Sequence, residues 1–114
     1  MRKSLSIFLA GFLLSLTFMA APALAQQVTI ENNTSANLSE LYVSNVDTNS
    51  WEDNVLGGRV LKPGDKFEHN FNGKYTMYDL KAVFDNGREQ PYYGINVKQF
   101  RYIRLNPDGV ESFK

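Results

Sequence analysis

One polar stretch of this chain carries most of the side chains that could hold a ligand through oxygen atoms. The stretch Asp47–Asn54 contains three acids, two asparagines and the only tryptophan. Carboxylate and amide oxygens are the ligands that calcium prefers in proteins. The spacing lacks the glycine and the terminal glutamate of an EF-hand loop, and Asp and Asn are also the common residues of turns. We therefore expect a solvated loop, with a calcium site as the alternative, formed by Asp47, Asn49, Asp53 and Asn54.

Trp51, in the middle of this stretch, has two interpretations. Exposed on a loop, its ring could stack on a sugar or anchor a protein partner, as aromatic residues do in binding sites. Packed inward, it would close one end of a hydrophobic core and bury a large apolar area. The nearby Leu56 and the Pro63-Gly64 turn favour the second interpretation. Under the interpretation of an exposed ring, Trp51 is the centre of the candidate binding site.

The rest of the chain offers little for catalysis. It has no cysteine and one histidine, which excludes a thiol nucleophile and the usual multi-histidine zinc sites. No serine lies in a nucleophile-elbow pattern, and neither standard phosphate-binding glycine loop is present. A small hydrolase would depend on Asp79, Glu68 and His69 alone. We expect no catalytic residue and no enzyme activity, and no cofactor apart from the calcium considered above.

Two of these residues have ordinary structural explanations. His69 lies between Glu68 and Asn70, which is typical of a surface strand residue. Asp79 is unfavourable in a strand unless it finds a partner. It could bind backbone amides of a loop, or it could pair along its own strand or across strands with Lys81, Arg101 or Arg104.

The strand around Tyr78 organises the rest of the chain. In residues 75–84 the side chains of Tyr78, Leu80, Ala82 and Phe84 point one way, while Asp79 and Lys81 point the other way. Asp85-Asn86-Gly87 then predicts a hairpin turn. Pro63-Gly64 predicts a type II turn, with glycine at the position of positive φ. These positions are predicted to be structural: Tyr78, Asp79, Leu80, Phe84, Asn86, Gly87, Pro63 and Gly64.

Other short strands flank this one. They are predicted at Val28–Ile30, Leu38–Val46, Arg59–Leu61, Asp65–Phe71, Arg88–Val97, Phe100–Leu105 and Val110–Phe113. Pro91 lacks an amide proton, so its strand is expected at a sheet edge or with a bulge. Alternation places Tyr92 and Tyr93 on opposite faces, so one tyrosine is expected on a surface that could bind carbohydrate or protein. The pattern predicts one antiparallel β-sandwich of about seven strands, immunoglobulin-like or similar.

The first 25 residues have the three-part pattern of a secretory signal peptide. Arg2 and Lys3 precede an apolar run, and Ala23-Leu24-Ala25 is a small-residue cleavage site. We expect cleavage after Ala25, a single domain over residues 26–114, and no stable membrane anchor afterwards. The absence of cysteine in a small exported domain favours a bacterial periplasm or exterior. The 12 basic and 12 acidic residues argue against nucleic acid as a partner.

Several of these motifs occur together in a recognisable order. They are Asn32-Asn33-Thr34-Ser35, Leu41-Tyr42-Val43-Ser44, Trp51, Leu56-Gly57, Pro63-Gly64-Asp65 and the run from Tyr78 to Gly87. In this order the chain resembles a family of small exported bacterial β-sandwich proteins whose members have no established biochemical role. The resemblance implies the fold and export, and it implies no catalytic residue. We expect a non-catalytic binding module for an unknown protein or carbohydrate, with calcium-assisted carbohydrate binding as the alternative.

Overall fold

The computed structural model describes residues 26–114; the predicted signal peptide lies outside them. Within residues 26–114 eight strands form: β1 Gln26–Asn32, β2 Leu38–Asn45, β3 Asp53–Asn54, β4 Lys66–Phe71, β5 Met77–Phe84, β6 Glu89–Asn96, β7 Tyr102–Asn106 and β8 Gly109–Phe113. Within residues 26–114 there is no helix with the length and hydropathy needed to span a membrane.

The strands form two four-stranded sheets that pack face to face. Sheet I has the order β4-β1-β7-β8, and sheet II has the order β3-β2-β5-β6. The predicted all-β sandwich is confirmed. Neighbouring strands are antiparallel, except that β7 runs parallel to β1. This exception arises because the chain crosses from sheet II to sheet I between β6 and β7, so β7 does not form a hairpin with its neighbour β1.

The core lies between the sheets and follows the alternation of the strands. In β5 the buried residues are Tyr78, Leu80, Ala82 and Phe84, as predicted. In sheet I, the strands β1, β4 and β7 each contribute buried side chains, among them Ile30, Phe67 and Ile103. Full burial of one such aliphatic or aromatic side chain stabilises the fold by roughly 1.5–3 kcal/mol. With no disulfide among the described residues, this packing holds the two sheets together.

A bulge in β2 changes which side chains enter the core. Simple alternation would place Leu38 on the face opposite Leu41, but both side chains are buried. The pairing register with β5 shifts between Leu38 and Glu40, and Leu38 is 0% exposed. One extra residue in a strand reverses the alternation beyond it, so Leu38 and Leu41 face the same side.

The strand that pairs with β2 at the edge of sheet II is not the predicted one. The predicted strand Arg59–Leu61 is wrong, because only Leu61 pairs, in an isolated bridge with Leu38. The strand in this region is β3, which has two residues. The side chain of Asn54 then replaces further backbone pairing, since its Oδ1 accepts hydrogen bonds from the amides of Leu41 at 3.0 Å and Leu56 at 3.1 Å.

The two predicted turns form as expected. Gly64 has a φ of 87°, and the Asp65 amide donates to the Lys62 carbonyl at 2.9 Å, which is the pattern of a type II turn. Gly87 has a φ of 88°, and the Asn86 side chain accepts a hydrogen bond from the Arg88 amide at 2.9 Å. Both glycines adopt a backbone conformation that other residues reach only with strain.

The strand that contains Pro91 is both bulged and at an edge. β6 is the outermost strand of sheet II, and its register against β5 shifts between Tyr78 and Leu80. Gly94 lies in this irregular part with a φ of 69°, and its amide donates to Asp79 Oδ1 at 2.8 Å. Of the partners considered for Asp79, a backbone amide is therefore the one found.

Candidate functional site

The polar loop folds back over the outer face of sheet II and does not extend from the end of the sandwich. The hydroxyl of Ser44, on β2, donates to the Ser50 carbonyl at 2.8 Å and accepts from the Glu52 amide at 3.0 Å. The Asn45 side chain donates to Thr48 Oγ1 at 2.8 Å. These bonds hold both ends of the loop against the strand from which it leaves.

Trp51 lies on this outer face and not in the core. The ammonium group of Lys81, which points outward from β5, is 5.7 Å from the Trp51 ring and 5.2 Å from the Tyr42 ring. Lys81 also pairs with Glu89 at 3.7 Å. The interpretation of Trp51 as a lid over the core is therefore wrong. The loop runs along the outer surface of sheet II, so the Trp51 ring lies near the outward-pointing Lys81 and not over the end of the sandwich.

A shallow depression of about 280 Å³ lies beside Trp51. We call its lining the Trp51 face, which consists of Ser44, Thr48, Asn49, Ser50, Trp51, Asp79 and Tyr93. Tyr93, on the bulged edge strand, is 68% exposed. The two aromatic side chains thus come from a loop and from a strand that are far apart in the sequence.

Several polar groups of the Trp51 face have no hydrogen-bond partner within residues 26–114. They include the side-chain amide of Asn49, the indole N–H of Trp51 and the phenol of Tyr93. Asp79 uses one carboxylate oxygen for the Gly94 amide, and its second oxygen is free to accept another hydrogen bond. The face therefore combines aromatic surface with donors and acceptors that point to solvent.

On the outer face of sheet I, one cluster of polar side chains forms a network of its own. Glu31 accepts hydrogen bonds from the Tyr102 hydroxyl and from Arg104 Nε. The Tyr102 hydrogen bond is the largest of the interactions that hold the pKa of Glu31 below its ordinary value, with Arg104 contributing. Arg104 also pairs with Glu111 at 3.5 Å. Glu31, Tyr102, Arg104 and Glu111 on this face are therefore engaged with one another.

The residues predicted for a calcium site are separated in the structure. Asn49 lies on the Trp51 face, and Asp47 lines a different depression with Tyr75. Asp53 faces His69 in a third place, while the Asn54 oxygen already accepts from two backbone amides. The predicted ligand-binding set therefore reduces to Asn49 and Trp51. Among residues 26–114 no group of three or more His, Cys, Asp or Glu could hold a metal ion.

The three residues of the hydrolase alternative also lie on three different surfaces. Asp79 is on the Trp51 face, Glu68 is exposed on the outer side of β4, and His69 is half-buried on the inner side of the same strand. The prediction of His69 as a surface residue is wrong. Its ring lies edge-on to Phe71 with 4.7 Å between centroids, because alternation in β4 places it with Phe67 and Phe71.

The sequence did not predict that Asp79, Lys81 and Tyr93 lie near Trp51. The alternation of β5 does place Asp79 and Lys81 on one outward face, and that of β6 leaves one tyrosine exposed. The missing information was the path of the loop. Comparisons with protein-family models, with curated proteins and with solved structures found no match.

Proposed function

We propose that this chain is an exported, non-catalytic binding module that holds a carbohydrate ligand on the Trp51 face. The observation that carries the proposal is the pairing of two aromatic side chains, Trp51 and Tyr93, around one depression with free polar groups. The proposal thus narrows the expected ligand of the binding module, a protein or a carbohydrate, to a carbohydrate.

The chemistry of the face fits a sugar better than a purely apolar ligand. A pyranose ring has C–H groups on its faces, which pack on an aromatic ring, and hydroxyls around its edge, which both donate and accept hydrogen bonds. Trp51 and Tyr93 supply the aromatic surface and a polar tip each. Asn49 can donate and accept, and the free Asp79 oxygen can accept. A depression that opens to solvent also suits a ligand that is part of a longer chain.

Calcium is not part of this proposal. The oxygen atoms that would have to surround the ion lie in three separate places, and the Asn54 oxygen is already engaged. Sugar binding by the Trp51 face would then depend on stacking and hydrogen bonds. Calcium-assisted binding is accordingly not retained as a second candidate.

Export is proposed from the sequence pattern of residues 1–25 and from the cysteine-free composition. In this proposal the domain acts in a bacterial periplasm or outside the cell, without a membrane anchor after cleavage. Membership of the family of small exported β-sandwich proteins is part of the same proposal. It is supported by the ordered motifs from Asn32 to Gly87.

A fluorescence titration tests the Trp51 face directly. Trp51 is the only tryptophan in the chain, so its emission reports on this face alone. The protein should be purified from the exported fraction of cells that express the full chain, and then screened on a glycan array. Sugars that bind should change the Trp51 emission in a saturable way, without added calcium.

Variants identify the residues responsible. Trp51→Ala should weaken retention on the array by at least about tenfold, which is the loss of one binding hot spot, and Tyr93→Ala should weaken it as well. Phe113→Ala is the control, because Phe113 is also an exposed aromatic residue, 40% exposed, but on sheet I. Retention that survives Trp51→Ala, or that Phe113→Ala abolishes, would contradict the proposal.

A further inference from the structure

A second cavity lies at the β3 edge of sheet II, where the sandwich is open. β3 has two residues, whereas β4, the edge strand of sheet I, has six. Sheet II therefore ends early along this edge and leaves a gap between the layers. The gap is a cleft of about 230 Å³, here called the edge cleft. It shares no residue with the Trp51 face.

Aromatic rings form one wall of the edge cleft. His69 and Phe71 are 4.7 Å apart between centroids, Phe71 and Tyr78 are 4.6 Å apart, and Tyr78 and Tyr75 are 6.1 Å apart. Phe71 and Tyr78 are buried in the core, so the wall is held rigidly from behind. Because Phe71 and Tyr78 expose little of their rings, the half-buried rings of His69 and Tyr75 supply most of the aromatic surface at the mouth of the cleft.

Two carboxylates stand at this mouth without a cation. Glu52 and Asp53 both line the cleft, and neither forms an ion pair with any residue from 26 to 114. Burial lowers the pKa of His69 and the Asp53 charge opposes this only partly, so the histidine is neutral at pH 7. The lining thus carries two negative charges and no positive charge.

We propose that the edge cleft binds a small organic cation, such as a substituted ammonium group, between the Tyr75–Phe71 ring wall and the carboxylates of Glu52 and Asp53. A cation gains from the negative faces of aromatic rings and from unpaired carboxylates, and this cleft supplies both. Lys74 Nζ lies 5.4 Å from the Tyr75 centroid, so a ligand must use the part of this ring that Lys74 leaves free.

The same features disfavour other ligands. An anion would meet two carboxylates and no positive charge in the lining. A drug-sized apolar molecule would need more room, because pockets for such molecules are typically about 300–1,000 Å³. The neutral His69 leaves one ring nitrogen as an acceptor and one as a donor, which suits a cation that also carries a hydroxyl.

Choline, a quaternary ammonium alcohol, is the probe. It should be titrated into the exported protein while amide chemical shifts are followed by NMR. Saturable shifts are expected at His69, Asn70 and Phe71, with no change in the emission of Trp51. The uncharged carbon analogue of choline, dimethylbutanol, should cause shifts at least about fivefold weaker at the same concentration.

The variants separate charge from shape. Glu52→Gln with Asp53→Asn should weaken choline binding at least about fivefold, and so should Tyr75→Leu; Glu68→Gln should not, because Glu68 lies on the outer side of the same strand. Thermal melts verify that each variant is folded. Equal shifts from choline and dimethylbutanol, no saturable shift up to tens of millimolar choline, or unchanged binding after removal of both carboxylates would overturn the proposal. These outcomes are independent of sugar binding on the Trp51 face.

Discussion

The imidazole of His69 lies where its charged form is poorly solvated. Burial between the sheets lowers the pKa of His69 below its ordinary value of 6.5, and the nearby Asp53 carboxylate offsets only part of this effect. The unfolded chain therefore binds the proton more readily than the folded protein. The contribution of His69 to stability is complete above pH 6.5 and is lost as the pH falls through the range between the two pKa values.

This gives a prediction for mild acid. The free energy of unfolding, measured by urea titration, should fall between about pH 7 and pH 5, and His69→Gln should flatten that fall because glutamine does not titrate. His69 is the only histidine in the chain, so its imidazole resonance can be assigned in an NMR titration without ambiguity. A midpoint at or above 6.5 would contradict the prediction.

Asn32, the last residue of β1, shows how much one side chain can do at the start of a loop. It is 1% exposed, and its amide donates to the carbonyls of Ala36 at 2.9 Å and Leu61 at 2.8 Å. Its oxygen accepts from the backbone and the hydroxyl of Thr34. All of its hydrogen-bonding capacity is used, so a polar group is buried without an unsatisfied partner.

At the scale of elements, the bulge in β6 connects fold and site. Its irregular register brings the Gly94 amide to Asp79 and lets Tyr92 and Ile95, which are three residues apart, both face the core. A regular strand would place Tyr92 and Ile95 on opposite faces and would leave Asp79 without this backbone partner. The bulge also protects an edge strand from pairing with another chain.

Gly94→Ala tests the bulge. Gly94 has a φ of 69°, and an added Cβ would meet only the end of Met77 at 3.9 Å, so the cost is conformational and not steric. We expect a loss of about 1 kcal/mol in the free energy of unfolding, typical of a left-handed residue that gains a side chain. Gly109→Ala is the control, because Gly109 has open space around it and no positive φ; its change should stay within about 0.5 kcal/mol. Equal losses in both variants would contradict the prediction.

At the scale of the whole molecule, two sheets are held together without a covalent link among the described residues. Apolar packing supplies most of the stability, but a partly buried hydrogen bond also joins the sheets. Tyr92, on β6 of sheet II, is 2% exposed, and its hydroxyl donates to the Asn106 carbonyl on β7 of sheet I at 2.8 Å. Burial raises the pKa of Tyr92 to about 12, so the donor keeps its proton at neutral pH.

Tyr92→Phe should weaken the contact between the sheets while it preserves packing volume. The Asn106 carbonyl would lose its tyrosine donor, and the expected cost is about 1–3 kcal/mol in the free energy of unfolding. Thermal unfolding should show this as a decrease of at least about 4 °C in Tm. Tyr93→Phe, at the adjacent exposed position, should leave Tm nearly unchanged. A Tyr92→Phe protein as stable as the parent would rule out this role.

The sequence by itself determined the features that depend on near neighbours in the chain. Alternation marked the inward face of β5, Asn86-Gly87 and Pro63-Gly64 marked their turns, and Pro91 marked an irregular edge strand. Each of these follows from backbone conformations that a few adjacent residues dictate. The fold class could therefore be predicted as a sandwich of short strands.

Only the tertiary structure decided where the functional groups meet. Leu38 entered the core because a bulge reversed the alternation in β2, and Trp51 settled on an outer face because Ser44 binds the loop and Lys81 approaches from another strand. The edge cleft exists because β3 stops after two residues. These outcomes depend on contacts between residues distant in sequence, whose energies no local pattern encodes.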